Sequence, residues 1–428
     1  MSRILLAFVV TAVMALGWLS APDRPLSDDA PGLEPAAAAA AVCPLRLDRT
    51  SDGELTIGST IVAPARITVA NAGTVATDLV VEVDEAGGAA VPFTDLTIGG
   101  SAGAFVEFGI DTAAAAGVSR GEAGVTAVSC PSLLRTTSVI TGASTRNGES
   151  LELILVNPYG SDAVVAVESS SEIGPDSADE LSAVVVPARS TVTRDLSTLL
   201  PLRNRLSLAI SPVRGLVHAF VEGGGRGDRV VIEQAAPGGQ WVTPVPAIGD
   251  QDVILVVSSV SPIEVALRID GWSEGGLVEG LVSDTIPPRG QIEIRLADLG
   301  TPVDILHVLA DGPIGASLVI EGDGGRAATP VNTEALPDWL MPGPGSTGSV
   351  AYVGNPGETD GVVDFQSLAT GGQSFTIEVA AGGVTAVPLE DQVVGYALRA
   401  NVPITVLWTV SDETGMGLGA PVPLRGGE

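Results

Sequence analysis

"LILVNPYGSDAVVAV", residues 153–167, reads as strand, turn, strand. Leu151 extends the first apolar run, and Asn157-Pro158-Tyr159-Gly160 separates it from the second. Asn, Pro and Gly are turn formers, each for its own backbone reason. A near copy, "VAYVGNPGETDGVVDF" (350–365), places Asn355-Pro356-Gly357 at the turn. A looser copy, "ITVANAGTVATDLVVEV" (67–83), places Asn71-Ala72-Gly73 there. One hairpin recurring at intervals near one hundred residues announces a repeated unit.

Three further signatures recur with it. A turn leads into an alternating strand in "VVVPARSTVTRDL" (184–196), "TIPPRGQIEIRL" (285–296), "VAAGGVTAVPL" (379–389) and "TIGGSAGAFVEF" (97–108). Val192 and Leu196 align with Ile292 and Leu296 at a spacing of 100. A closing strand follows in "GLVHAFVEG" (215–223), "GPIGASLVIEG" (312–322) and "VPITVLWTV" (402–410), with "AGVTAVSC" (123–130) in the first unit. A Pro-rich joint carries Trp241 in 238–252 and Trp339 in 335–348, 98 residues apart. Period-two alternation marks half-buried strands, and no long helical period interrupts it.

These signatures predict four units, at 43–142, 143–244, 245–342 and 343–428. About seven short strands in about one hundred residues is the size of an immunoglobulin-like β-sandwich. The expected fold is all-β: tandem immunoglobulin-like sandwiches behind an N-terminal hydrophobic helix. The composition agrees, because 45% apolar residues supply cores while 4% aromatics leave them to Val, Leu, Ile and Ala.

The N-terminus predicts export. Arg3 precedes the apolar run 4–19, "ILLAFVVTAVMALGWL", so residues 1–21 read as a signal peptide or signal anchor. Residues 22–42, rich in Pro, Ala and Asp, read as a linker. In an oxidising compartment the two cysteines, Cys43 and Cys130, form one disulfide. The net charge is 21 − 51 = −30, and every basic residue is arginine. Such a chain repels phosphate backbones, which argues against nucleic acid as a partner. It reaches a membrane only through its N-terminal segment.

The order of signatures from the first Cys through "SCPSLLRTTSVITGASTRNGESLELILVNPYGSDAVVAVE" to "VVVPARSTVTRDL" and "GLVHAFVE" resembles an actinobacterial family known as domain of unknown function 5719. The resemblance is best over 130–245 and extends over most of the chain after residue 43. It departs at Ser138-Val139-Ile140, where the family pattern leads one to expect an aromatic before "TGAST". The resemblance implies a secreted or membrane-anchored all-β protein and transfers no catalytic residue.

Chemistry-bearing motifs are sparse. His218 and His307 lie in different units, and no GxSxG, HExxH or GxxxxGK[ST] pattern occurs. Acidic pairs for glycoside hydrolysis, such as Asp179, Glu180 or Asp298, are not singled out among 51 acids. Arg226-Gly227-Asp228 matches "EGDGGR" (321–326) in the next unit, so both read as hairpin tips. Neither a catalytic residue nor a cofactor or metal ligand is expected. Trp241 and Trp339 are expected at the joints, packing them or stacking on sugar rings. The functional expectation is a non-enzymatic envelope protein, a rod of sandwiches acting as scaffold or spacer. The alternatives are a module binding a cell-wall polysaccharide or envelope protein, and an enzyme acting on envelope glycans.

Overall fold

The first unit pairs its strands into two four-stranded sheets. One joins Ala39–Arg46, Ser101–Phe108, Ala65–Asn71 and Thr77–Val81. The other joins Gly88–Pro92, Asp52–Ser59, Ala113–Gly121 and Gly124–Cys130. This computed structural model describes residues 39–46, 52–59, 65–71, 77–83, 87–96, 101–108, 113–121 and 124–130, and most of 137–423. The apolar run 4–19 and nearly all of the linker lie outside the described residues. Among the described residues no helix is long and apolar enough to cross a membrane.

The second unit repeats the plan. Its open sheet is Gly174–Asp176, Ala163–Ser171, Leu206–Arg214 and Ser138–Ala143, with Val184–Val186 beside Ala163–Ser171. Its closing sheet is Ser190–Asp195, Ser150–Asn157, His218–Gly225 and Asp228–Glu233. In the third and fourth units a single strand of 18 residues, Ile305–Gly322 or Gly395–Asp412, serves both sheets. Val165, Val167, Leu153 and Leu155 of the second unit meet in one core, as their alternation requires.

The Asn turns are now explained. Asn157 is fully buried, and its side-chain amide donates to the carbonyls of Ser161 (2.8 Å), Val186 (3.0 Å) and Pro187 (3.1 Å). Its Oδ1 accepts the Tyr159 N–H at 3.0 Å. Asn355 repeats this with Thr359, Val379 and the Gly357 N–H. One side chain thus holds the turn and ties it to the neighbouring sheet. In the first unit the sequence register slips. Asn71 ends the strand Ala65–Asn71, and Ser59 takes the place of Asn157, its N–H bonded to the Gly87 carbonyl at 2.7 Å.

The predicted joints shift as well. Gly238–Pro244 pairs with Ile305–Gly322, and Leu336–Pro342 pairs with Gly395–Asp412. These segments therefore open the third and fourth units and do not close the second and third. Ser138–Ala143 likewise opens the second by pairing with Leu206–Arg214. The hairpin tips fall where the repeat predicts, with Gly225 opposite Asp228 and Gly322 opposite Gly325; Arg226 and Gly227 lie outside the described residues.

The rod is overturned. Residues 37–428 form one compact unit, because the closing strands of all four units pack on one another. Gly124–Cys130 lies against Asp228–Glu233, which lies against Gly325–Pro330, which lies against Gly415–Gly419, which returns to Gly124–Cys130. The physical cause is that closing sheets are apolar on both faces. Leu153 and Leu155 fill the second unit's own core, while Ile154 and Val156 pack on Val42 and Phe105 of the first. Ile254, Val256 and Val319 of the third unit enter the second unit's core. Leu407, Met416 and Leu418 of the fourth enter that of the third. Ala116, Val118, Val125 and Ala127 of the first complete the circle in the fourth. A sheet buried on both faces reads as a continuous apolar run, and separate sandwiches would leave one of those faces in water.

Candidate functional site

The four joints of this closed body are built on one plan and filled differently. Between the third and fourth units, the cross-strand pair Trp272 and Ile305 covers the next unit's turn. A Cβ built on Gly382 would lie 3.4 Å from the Trp272 ring, and one on Gly354 3.1 Å from Ile305 Cδ1. Between the first and second units, Phe105 and Tyr159 approach with ring centroids 6.1 Å apart, beside Val42, Val156 and Phe220. Between the fourth and first, Leu340, Leu368 and Val422 pack on Ala114.

The joint between the second and third units breaks the pattern. Ser170 and Ser207 form the cross-strand pair that corresponds to Trp272 and Ile305. Opposite them stand Arg289 and Ser258, in the places of Gly382 and Gly354. The turn hydrogen bonds fix this register: the Ser259 N–H donates to the Gly290 carbonyl as the Asn355 N–H does to that of Gly383. Where the other three joints hold large apolar side chains, this one leaves a groove of 390 Å³.

The groove floor is hydroxylic. Ser170, Ser207 and Ser258 are 6%, 2% and 4% exposed. The Ser207 hydroxyl donates to Gln291 Oε1 at 2.5 Å, and Gln291 Nε2 donates to the Arg205 carbonyl at 3.0 Å. Among the described residues, the hydroxyls of Ser170 and Ser258 have no hydrogen-bond partner. Ala166, Ala209 and Val260 add small apolar surface. At the rim Arg289 pairs with Glu168 at 3.1 Å across the joint, and Asp176 pairs with Arg203 at 2.5 Å. Arg289 adopts a left-handed backbone, φ 49°, where Gly382 in the next joint has φ 70°. The second unit's turn holds Arg189 in the same conformation, φ 51°, so this strain of about 1 kcal/mol or more belongs to the turn and does not mark the groove.

An ionic network, tied to the groove through the Ser207–Gln291–Arg205 hydrogen bonds, joins the two units. Arg205, 1% exposed, reaches Glu293 at 3.1 Å and Glu321 at 2.9 Å, and Arg146 and Arg326 also converge on Glu321. Burial pushes the Glu321 carboxyl up, but the Arg205 hydrogen bond and the surrounding guanidiniums outweigh it and hold the group below its ordinary range. Burial and the neighbouring Arg205 lower Arg326 to about 10, with Glu321 opposing.

The sequence-predicted residues lie elsewhere. Cys43 and Cys130 form the disulfide, joining the two sheets of the first unit. Trp241 and Trp339 are each 1% exposed, so neither ring is open to a sugar. Trp241 packs with Leu407, Met416 and Leu418 of the fourth unit, and Trp339 with Ala116 and Val118 of the first. The Trp339 indole donates to the carbonyls of Leu336 and Ile404. His218 is fully buried with Nδ1 3.0 Å from Gln234 Nε2, and His307 lies under Trp272, ring centroids 5.7 Å apart. The groove serines escaped the sequence reading, although aligning the second copy on the third sets Ser170 opposite Trp272.

Residues 80–269 match the model of a family of unknown function, DUF5719. The match covers the second unit, where the sequence resemblance is best, and reaches Ser258 but not Arg289 of this joint. A solved structure titled "tetra-tandem repeat in extending region of large adhesion protein" is 13% identical, with 90% of this chain and 99% of that chain covered and a TM-score of 0.11. That score supports no argument. No curated protein matches the chain.

Proposed function

We propose that the protein is a non-catalytic extracytoplasmic module of the cell envelope, secreted or anchored through residues 4–19, that binds a polar envelope ligand at the joint between its second and third units. One observation carries the reading: the joint position that Trp272 fills in the third unit is Ser170 in the second, and a hydroxyl-floored groove stands there. Packing alone would favour the apolar filling used at the other three joints. The Cys43–Cys130 disulfide supports an oxidising compartment. Residues 37–428 form one compact unit, so this reading includes no extended rod.

The test copies the sister joint into this one. Full-length protein and its Ser170→Trp variant are incubated with envelope material isolated from the source cells, and retention is measured against concentration. The wild type is expected to be retained saturably and the variant at least about tenfold more weakly, with unfolding curves that match. Equal retention of the two would overturn the reading.

A further inference from the structure

We infer that the ligand is a neutral, hydroxyl-rich saccharide segment, an inference that rests on the groove being the binding site. Among the described residues, the floor presents two hydroxyls without protein partners, on the nearly buried Ser170 and Ser258. A hydroxyl donates one hydrogen bond and accepts others, so its natural complement is a group that does both, an alcohol. The rim pair Glu168–Arg289 sets an acceptor beside a fork of donors, a spacing that suits neighbouring hydroxyls of one ring. Ala166, Ala209 and Val260 offer small apolar patches for the C–H faces of such a ring. The volume of 390 Å³ lies near the lower end for small-molecule sites.

Charge selects against the competitors. The lining carries Glu168, Asp176 and Asp179 against Arg289, on a chain of net charge −30, so a phosphate or uronate would be repelled. A basic peptide meets two carboxylates already engaged, Glu168 by Arg289 and Asp176 by Arg203, and among the described residues Asp179 is the lining carboxylate with no arginine on it. A single open carboxylate offers such a peptide one contact unless it displaces an arginine.

The experiment titrates the oxidised full chain with neutral hexose and pentose oligosaccharides, with uronic-acid oligosaccharides of equal length, and with an arginine-rich peptide. Calorimetry reads affinity. Saturable binding of a neutral oligosaccharide is expected, with the uronic series at least about tenfold weaker. Ser170→Trp should abolish it. Arg289→Gly, which relieves the left-handed backbone and therefore folds, should weaken it several-fold. Three results overturn the inference: no neutral oligosaccharide binding, binding that survives both substitutions, or a groove-dependent preference for the peptide or the uronates. If groove-dependent retention on envelope material persists beside any of them, the binding-module reading stands and only the ligand class falls. Loss of that dependence removes both.

Discussion

Gly417 abuts Ala127 across the seam between the fourth and first units, so closely that a Cβ added to Gly417 would lie 2.5 Å from the Ala127 nitrogen. The obstacle is backbone, which cannot swing aside. Gly417→Val should therefore open the seam and destabilise the protein by about 1–3 kcal/mol or more. Urea unfolding measures this, with Gly160→Ala as control, since nothing lies within 4 Å of a Cβ at Gly160. An unchanged midpoint for Gly417→Val would mean that the seam is not closed as described.

The turn asparagines should be expensive to lose. Removing the Asn157 side chain takes a donor from the carbonyls of Ser161, Val186 and Pro187 and an acceptor from the Tyr159 N–H. Asn157→Ala is expected to cost about 2–3 kcal/mol, the scale of stranded buried polar groups. Asn355→Ala should cost a similar amount, and chemical denaturation of each single variant checks both.

Two buried titratable groups should set the pH dependence from opposite sides. Burial lowers His218 from 6.5 to about 3, so the unfolded chain takes up a proton that the folded chain refuses. Its contribution is intact above 6.5 and falls as pH drops from 6.5 towards 3, at about 1.4 kcal/mol per pH unit. Burial pushes Glu233, at the seam beside Ser129, well above its ordinary 4.5. The folded state keeps that proton, so stability falls as pH rises above 4.5. His218→Leu should flatten the acid limb. Glu233→Gln, which can still accept the Ser129 N–H, should raise stability at pH 7 and lose that advantage near pH 4. Unfolding midpoints across pH 4–8 read both limbs.

The disulfide closes a span of 87 residues. In the chain-entropy model its loss costs roughly 4–5 kcal/mol. The Cys43→Ser, Cys130→Ser double variant should lower the denaturation midpoint accordingly. Its circular dichroism should stay that of a β protein, since the cysteines' neighbours Leu55, Ile67 and Val106 form a core of their own.

Much of the fold was legible because strand alternation is local. Val165 and Val167 announce their core by their spacing, and Asn157-Pro158 announces its turn. Ring closure was written less plainly, in "LILV" (153–156) and "VILVV" (253–257), where alternation fails because both faces are covered. Those runs read equally well as ordinary strands of one sandwich. Trp241 and Trp339 were placed near joints by their Pro-rich flanks, but burial is a property of three dimensions and the flanks do not encode it. The groove was hidden for another reason: it is defined by what is missing. Ser170 carries no signal alone and acquires one only beside Trp272, once pairing has fixed the register.

The seam between the first and last units has a temporal side. Ser129 donates its hydroxyl proton to the Ala420 carbonyl, a contact between positions 291 residues apart. A chain that emerges N-terminus first would present Ala116, Val118, Val125 and Ala127 long before Trp339, Met341 and Trp408 arrive to cover them. Until then the leading sandwich is a half-finished interface, exposed to chaperones, proteases and neighbouring nascent chains. Loss of Gly415–Gly419 should therefore uncover Val125 and Ala127 of the first unit together with the fourth unit's own core, so that a late strand guards an early one.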